Sequence, residues 1–407
     1  MLKRCLTRAP QVFALFVAVA VWPASCAPHN KPATQPPATA GGAAAPATPA
    51  PSPTAAKPAP APAKPTLPER LSDEEFWKLS SDLSEPDGYF RSDNLLSNEI
   101  YLQYVIPDLL NVAKTGRVYM GVGPEQNFTY ITALKPTMAV IVDIRRGNLD
   151  LHLMYKALFE MSDDRADFVS RLFARKRPDG LAPDAGVREL FTAYLSAPYD
   201  EEYGKQTYDQ IIDLLKTKHH FALSQGDTEG ILFVYQFFEQ YGPELTYWMS
   251  GGFGGGRGGF RNSPTYADLM TLTDQGGALH SYLASDENYN FMKQLEARNM
   301  LLPVVGNFAG PKALRAVGAW LKEHNAVVSA FYLSNVEQYL YMDGIWNDFC
   351  ANAATLPIDG TSQFIRSYRG GGGGPGYGGG SLTQGIFPMN EDLKKCASSF
   401  AHETLVR

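Results

Sequence analysis

Apolar and polar positions alternate along residues 117–148 in the order strand, turn, helix, strand. Val118–Gly121 is a short apolar run that ends in a glycine turn. Asn127–Leu134 has the spacing of a helix, and Met138–Asp143 has that of a buried strand closed by an acid. The pattern predicts one complete βαβ unit, with a loop of the kind that contacts cofactors.

The same alternation returns in the last third of the chain. Met300–Val305 and Ala326–Tyr332 are typical of buried strands, and helical patterns follow them over 310–323 and 336–347. Two such units predict an α/β fold of Rossmann-like type with a mostly parallel sheet. Right-handed crossovers would then bring several loops to the carboxyl edge of that sheet, namely those after residues 121, 143, 306 and 333.

Helical patterns lie before the first of these two units and between them. Before the first strand we predict a capped helix after Ser72 and another over Asn98–Ala113. After the second strand we predict helices over 149–161, 163–175, 187–196, 207–217 and 229–241. The domain is therefore predicted to span residues 70–407, with a helical insertion over about 149–245.

The first 27 residues have the pattern of an export signal. Lys3, Arg4 and Arg8 precede an apolar run with no acid among them, and a short small-residue segment follows. Its end, Pro23 to Cys26, resembles the lipobox of bacterial lipoproteins, in which Cys26 would be acylated. Ordinary signal-peptidase cleavage and an uncleaved anchor are the alternatives. Either way we expect an exported protein of the cell envelope, reaching the membrane only through this N-terminal segment.

Residues 28–69 consist almost wholly of Pro, Ala, Thr, Lys and Gly. Such a composition has too few apolar side chains to bury a core, so we predict a disordered tether. In polyproline II form it could reach roughly 130 Å at about 3.1 Å per residue. Two glycine-rich stretches, at 250–260 and 369–380, favour flexible surface loops over anion or RNA binding.

Charge and cysteine usage narrow the classes further. The chain has a formal net charge of −6 and loses three positive charges if the signal is removed, which argues against nucleic acid as a partner. Cys350 and Cys396 are the cysteines of the folded part, and a disulfide or two buried thiols both remain open. No Cys or His spacing of the metal-binding kind is present in the sequence.

The glycine loop of the first unit limits the choice of cofactor. Gly121 and Gly123 are present, but the third glycine of a pyrophosphate-binding loop is missing, and Glu125 stands near the expected anion position. A carboxylate there would repel a pyrophosphate but would favour the ammonium and sulfonium of S-adenosylmethionine. The alternative is that Glu125 only complements the helix dipole, beside Pro124 in the first turn.

The acid that closes the second strand completes the predicted cofactor site. Asp143 lies 22 residues after Gly121, the spacing at which such folds hold ribose hydroxyls. Arg145 and Arg146 follow it, either as a solvated turn or as a clamp for an acidic group. Upstream of the first strand, a polar cluster is predicted to cap a helix or to fold over the site as a lid: Asp93, Asn94, Ser97, Asn98 and Glu99.

Four stretches carry a resemblance to a known family. They are V-G-P-E-Q-N-F-T-Y-I, V-D-I-R-R-G-N, F-A-G-P-K-A-L-R-A-V-G and F-Y-L-S-N-V-E-Q-Y-L. There the chain resembles an uncharacterised bacterial family of exported, lipoprotein-like proteins whose core is similar to class I S-adenosylmethionine-dependent methyltransferases. The resemblance implies that Gly121, Gly123, Glu125 and Asn127 contact the methionine end of the cofactor and Asp143 its ribose. It also puts Met120 where methyltransferases usually have an acid.

Substrate-side candidates lie at the other loops of the carboxyl edge. The resemblance places Asn307 after the fourth-strand position, where methyltransferases often present a polar group. The remaining candidates are Tyr332, Ser334, Asn335 and Glu337. For Ser334 and Asn335 a helix N-cap is the simpler interpretation.

Two functions follow from these observations. One is an exported S-adenosylmethionine-dependent methyltransferase-like protein acting on a small molecule or an envelope component. The other is a catalytically inactive Rossmann-like binding or scaffold lipoprotein, which export favours because the cofactor is made in the cytosol. Asp143 and Glu125 facing one cavity beside Gly121 would support the first, and an Asp143 ion pair with Arg145 or Arg146 would support the second. A hydrolase is disfavoured because no G-x-S-x-G elbow is present.

Overall fold

The structure is a computed structural model that describes residues 66–247, 263–369 and 382–404. The described residues belong to one compact unit, Pro62–Arg407. The predictions for the signal segment 1–27 with Cys26, for most of the tether 28–69 and for the glycine-rich stretches 250–260 and 369–380 lie outside the described residues, apart from the few positions at their margins.

A six-stranded, mostly parallel sheet lies at the centre of this mixed α/β unit. Its strands stand in the order β3-β2-β1-β4-β5-β6, and only β6 runs antiparallel to its neighbour. The strands are β1 Val118–Gly121, β2 Met138–Asp143, β3 Leu301–Val305, β4 Val328–Ser334, β5 Gln363–Arg369 and β6 Leu382–Pro388. The first four confirm the predicted strands to within two residues at either end.

Three strands at one side of the sheet are buried along their whole length. Every residue of β1, β2 and β3 is buried, as expected when helices cover both faces of a parallel sheet. A continuous apolar run without alternation is therefore the right signal for these strands. The sheet order reverses direction between β1 and β4, so the loops after these two strands diverge from a common crevice.

The described residues form fourteen α-helices. They are α1 Asp73–Leu83, α2 Ile106–Val112, α3 Gln126–Leu134, α4 Arg146–Met161, α5 Arg165–Leu172, α6 Val187–Ser196, α7 Glu201–Asp213, α8 Gln225–Tyr241, α9 Tyr266–Thr271, α10 Asp286–Ala297, α11 Ala313–Glu323, α12 Val336–Met342, α13 Trp346–Ala353 and α14 Met389–Thr404. A π-helical turn, Leu214–Lys218, extends α7. Helices α4 to α10 all lie between β2 and β3.

Four of the predicted helices are wrong in extent. Two begin earlier than predicted, α7 at Glu201 rather than at 207 and α8 at Gln225 rather than at 229. The helix predicted over Asn98–Ala113 is only α2, because Pro107 stands at the first helical turn and the residues before it form turns. The helix predicted over 336–347 is split into α12 and α13 around Gly344, whose φ of 70° is left-handed. The capping box at the start of α1 is confirmed, since Ser72 and Glu75 bond each other reciprocally.

The carboxyl-terminal elements were not foreseen. Strands β5 and β6 pair antiparallel at one edge of the sheet, and α14 follows directly after β6. Cys350 in α13 and Cys396 in α14 form a disulfide with a Cα–Cα distance of 5.8 Å, which decides between the two alternatives for these cysteines.

No helix among the described residues is long and apolar enough to cross a membrane.

Candidate functional site

The loop between β1 and α3 is closed by its own side chains. Gly123 has a φ of 79°, a conformation that favours glycine. The Nδ2 of Asn127 donates to the carbonyl groups of Val122, Gly123 and Pro124 at 2.9, 3.3 and 2.7 Å. A Cβ atom at Gly121 would overlap the Oδ1 of Asn127. The space that the glycine opens is therefore filled by the asparagine.

Two further side chains hold this loop from either side. The hydroxyl of Tyr119 donates to the Oδ1 of Asn127 at 2.8 Å. His152 in α4 lies with its Nε2 3.0 Å from the carbonyl oxygen of Gly123. Burial lowers the pKa of His152 to about 4, so the ring is neutral and its Nε2 donates this bond. The loop is thus rigidly placed at the carboxyl edge of β1.

Asp143 ends β2 as predicted and is fully engaged by Arg145. Its Oδ1 accepts from the backbone N–H of Arg145 at 3.0 Å and from Nε at 3.1 Å, while its Oδ2 accepts from Nη2 at 3.1 Å. The two side chains retain only 7% and 10% of their exposure. Such a bidentate pair fixes both oxygens of the carboxylate.

Arg145 also fixes the segment that precedes β1. Its Nη1 donates to the backbone carbonyl groups of Ser92 and Asp93. The neighbouring Arg146 instead pairs with Asp227 in α8, with an Nε to Oδ1 distance of 2.8 Å. Arg145 is therefore neither solvated nor free to clamp a ligand, and it ties β2 to the chain upstream of β1.

Glu125 faces the interior of the domain and is fully buried. Its Oε1 accepts a hydrogen bond from the backbone N–H of Ser97 at 3.3 Å, and its Oε2 has no hydrogen-bond partner. Burial, reinforced by the nearby carboxylate of Glu99, raises the pKa of Glu125 to about 8. The carboxyl is thus mostly protonated at neutral pH.

A second buried carboxyl, Glu99, lies beside Glu125. Its Oε1 accepts from the hydroxyl of Ser334 at 2.6 Å, and its Oε2 accepts from the Nε2 of Gln384 in β6 at 3.0 Å. Burial raises its pKa too, although these hydrogen bonds work in the opposite direction. The Nε2 of Gln126 donates to the hydroxyl of Tyr332 at 3.1 Å, which joins the loop after β1 to the end of β4.

Tyrosines enclose the two carboxyls. Tyr119, Tyr130 and Tyr332 are completely buried and interact electrostatically with Glu99. Tyr155, Tyr266 and Tyr282 are completely buried and interact with Glu125 in the same way. We call this group the tyrosine–glutamate cluster: Glu99, Glu125, Gln126, Tyr119, Tyr130, Tyr155, Tyr266, Tyr282, Tyr332, Ser334 and Gln384.

The structure brings only some of the predicted site residues into this cluster. Glu125, Tyr332 and Ser334 belong to it, and Gly121, Gly123 and Asn127 form the loop that adjoins it. Asp143 is held apart in its pair with Arg145. Asn335 adjoins Ser334, with 3.5 Å between the Oδ1 of Asn335 and the Ser334 hydroxyl, and Asn307 and Glu337 are engaged elsewhere.

Asn307 and Glu337 have structural partners. The Oδ1 of Asn307 accepts from the backbone N–H of Ala309 at 2.9 Å, which shapes the turn after β3. Glu337 pairs with Arg366 of β5, with an Oε2 to Nε distance of 2.8 Å. Ser334 has a φ of 50° and bonds Glu99, and α12 has no side-chain hydrogen bond at its N-cap, Asn335. The predicted cap at this position is therefore wrong.

The segment Asp93–Val105 covers the cluster from the side of α2. Leu95, Leu96 and Leu102 are buried, and Ser97 and Glu99 point their polar groups at the site. Of the two interpretations of this polar segment, the structure supports a cover over the loop rather than the cap of a helix, because residues 93–105 form bends and turns before α2. We call Asp93–Val105 the covering segment.

Sequence reasoning named Tyr332 but missed the other five tyrosines, Gln126 and Gln384 as members of this site. For Tyr119 a signal was available in β1, because a buried tyrosine needs a hydrogen-bond partner for its hydroxyl and therefore marks polar groups nearby. No comparable signal exists for Gln384, because its strand pairs with β5 only in the folded molecule. Among the described residues, no group of His, Cys, Asp and Glu side chains is arranged to hold a metal ion.

A shallow cleft of about 290 Å³ opens on the outer side of the Asp143–Arg145 pair. Its lining includes Arg145, Asp93, Phe90 and Phe233. None of its lining residues belongs to the tyrosine–glutamate cluster, so the cleft is a separate feature.

Comparison with known proteins adds a family but no activity. A search of curated proteins finds no match. One family model matches two segments, residues 95–227 and 260–382, which together make up more than half of the 407 residues. The matched segments contain both glutamates of the cluster and the loop after β1. The chain therefore belongs to the family described as Domain of unknown function (DUF7790).

Proposed function

We propose that the described domain is a Rossmann-like binding or scaffold domain of the cell envelope, and that it does not use S-adenosylmethionine. The parallel strand order β3-β2-β1-β4-β5 supports the Rossmann-like part of this proposal, because it follows the order of a doubly wound sheet. In such sheets, ligands bind at the carboxyl ends of the strands where the order reverses. The tyrosine–glutamate cluster lies at this point, after β1 and β4.

The ion pair between Asp143 and Arg145 carries the proposal. An acid that holds ribose hydroxyls must offer them its oxygens, and here both oxygens accept from Arg145. The two other cofactor positions agree with this. Asn127 fills the space above Gly121, and Glu125 points inward to Ser97. As they stand, these residues do not fit S-adenosylmethionine.

Calorimetric titration of the purified full chain with S-adenosylmethionine and S-adenosylhomocysteine tests this directly. We expect no binding heat from either compound at up to millimolar concentration. Micromolar binding that Asp143→Ala abolishes would overturn the proposal. Asp209→Ala is the matched control, because Asp209 is an exposed acid that pairs with Lys205 on α7 and has no contact with the predicted cofactor residues among those described.

The methyltransferase-like alternative is favoured by one observation. Glu99, Tyr332 and Ser334 gather polar groups at the carboxyl edge of β4, where a substrate of such an enzyme would lie. For that alternative, Tyr332 and Ser334 would contact the substrate. The titration above separates the two functions, since a transferase requires the cofactor to bind.

The location at the envelope rests on the N-terminal sequence. We propose that Cys26 is lipidated and that residues 28–69 hold the domain away from the membrane. Fractionation of expressing bacterial cells tests this. The wild-type chain is expected in the membrane fraction and Cys26→Ser among soluble proteins, whereas an unchanged distribution would contradict lipidation.

A further inference from the structure

The tyrosine–glutamate cluster contains two acids without a basic partner. Among the described residues, neither Glu99 nor Glu125 forms an ion pair, although other buried acids of the domain do. Glu160, for example, pairs with Lys156 at 2.8 Å. A buried carboxylate without a cation is costly, and the charge is avoided only if the group takes up a proton or a cationic ligand.

Several buried polar atoms of this cluster have no hydrogen-bond partner. Two are the hydroxyl groups of Tyr130 and Tyr155, and the other three are the Oε2 of Glu125, the Oε1 of Gln126 and the Oε1 of Gln384. These three residues keep at most 6% of their exposure. Buried polar atoms are almost always satisfied in folded proteins. Oxygens left without a donor therefore indicate a ligand that brings N–H groups.

Aromatic rings complete the surroundings of such a ligand. Tyr130 and Tyr332 lie with their ring centroids 5.3 Å apart at a tilt of 42°. The face of a tyrosine ring attracts cations, and the attraction grows when water is excluded. Carboxyls, unpaired carbonyl oxygens and tyrosine faces together match the chemistry of a protonated amine.

We propose that the tyrosine–glutamate cluster is a binding site for a small organic amine in its ammonium form, closed in this structure by the covering segment Asp93–Val105. Glu125 and Glu99 supply the negative charge, and the side-chain oxygens of Gln126 and Gln384 accept from the ammonium group. This inference rests on the proposed function, because it assigns a ligand class to the same binding domain.

The covering segment supplies part of the site that it closes. The backbone N–H of Ser97 donates a hydrogen bond to the Oε1 of Glu125, and Glu99 is itself a residue of the segment. Its two ends are held by hydrogen bonds, from Arg145 to the carbonyl group of Asp93 and from the backbone N–H of His280 to the Oε1 of Gln103 at 2.7 Å. Entry of a ligand therefore requires the segment to move between these two points.

The proton on Glu125 links amine binding to pH. The titratable groups that face it are Glu99 from the covering segment, Tyr155 from α4, Tyr266 from α9 and Tyr282 from the chain before α10. Glu125 changes charge near neutral pH, whereas the tyrosines stay neutral there because burial raises the pKa of each further above its usual value. An ammonium ion that binds Glu125 must displace its proton, so affinity should rise roughly tenfold per pH unit below about pH 8.

Calorimetry with putrescine tests the site in the full chain at pH 6, 7 and 8. The expected result is a Kd that falls with rising pH, and binding at least roughly tenfold weaker, without this pH dependence, in Glu125→Gln. Glu296→Gln is the matched control, because Glu296 is a second fully buried glutamate whose pKa burial raises to about 8. It lies beside Lys156, outside the cluster, and its substitution should leave binding unchanged.

Tetramethylammonium separates the role of N–H donors from that of charge. It should bind at least roughly tenfold more weakly than putrescine, because it has no hydrogen to donate to the three unpaired oxygens. Absence of putrescine binding at about 10 mM would overturn the inference. Equal binding by wild type and Glu125→Gln, or equal binding of the two cations, would also overturn it. Absence of amine binding leaves the proposed function standing, whereas binding of S-adenosylmethionine that depends on Asp143 overturns the proposed function alone.

Discussion

At the scale of single residues, the decisive contacts are ones that spacing cannot predict. The distance of 22 residues from Gly121 to Asp143 is right for a cofactor acid, and both residues end their strands as expected. What Asp143 bonds to depends on the rotamer of Arg145, two residues later. The sequence left two possibilities for Asp143, an ion pair with Arg145 or Arg146 and a contact with the ribose of a cofactor. It could not decide between them, because both use the same carboxylate.

Removal of Arg145 should destabilise the domain strongly. Arg145→Ala leaves Asp143 as an unpaired acid in a site where only 7% of its side chain is exposed. We expect a loss of about 3 kcal/mol in the free energy of unfolding, measured by urea denaturation. Asp143→Asn added to this variant should recover part of the loss.

The control for this prediction is an exposed pair of the same kind. Lys78 and Asp82 on α1 retain 71% and 58% of their side-chain exposure, so Lys78→Ala should cost less than about 0.5 kcal/mol. Equal midpoints for Arg145→Ala and the wild type would show that the buried pair contributes nothing to stability.

At the scale of elements, the sequence predicted what local pattern determines. Strands β1 to β4 consist mostly of apolar residues, and their burial on both faces explains why the pattern was sufficient. The last two strands are less regular, since β6, at the edge of the sheet, is mostly half-buried and carries polar residues. Their pairing is a tertiary contact, and no local period reveals it.

The disulfide between α13 and α14 should contribute strongly to the stability of this carboxyl-terminal region. It joins residues 46 positions apart, and the β5–β6 pair lies within the loop that it closes. Closing a loop of this length restricts the unfolded chain by about 4 kcal/mol in the chain-entropy account. The double variant with Cys350→Ala and Cys396→Ala should therefore unfold at markedly lower urea concentration.

Reduction gives an independent check of the same bond. Dithiothreitol should lower the midpoint of the wild type to near that of the double variant and leave the variant itself unchanged. A wild-type midpoint that does not respond to reductant would argue against any contribution of the disulfide.

At the scale of the whole molecule, buried acids set the response to pH. Burial is the first cause that raises the pKa of Glu125, Asp150 and Glu296 to about 8. Burial also acts on Glu160, but the hydrogen bond from His219 and the charge of Lys156 outweigh it and lower its pKa to about 2. The first three hold protons that the unfolded chain releases, and Glu160 does the reverse.

The domain should therefore be most stable in mild acid. Between about pH 4.5 and 8 the folded state binds more protons than the unfolded state, so stability falls as pH rises, by about 1 kcal/mol per pH unit for each group. Below about pH 4.5 protonation of Glu160 in the unfolded chain lowers stability instead. Thermal melts between about pH 3 and about pH 9 cover both transitions and should show this maximum in the melting temperature.

Single substitutions show which buried acids cause the fall in stability with rising pH. Glu296→Gln should flatten the decline above pH 5, whereas Glu74→Gln, at an exposed position in α1, should leave it unchanged. A melting temperature that rises steadily from pH 5 to 8 would contradict the assignment.

The guanidinium of Arg145 has a consequence that reaches beyond stability. The same side chain holds both oxygens of Asp143 and the carbonyl groups of Ser92 and Asp93, at the start of the covering segment. A molecule that drew Arg145 away from Asp143 would loosen the cover in the same movement. The state of Asp143 at the end of β2 and access to the buried tyrosines would thus change together, because both depend on the position of Arg145.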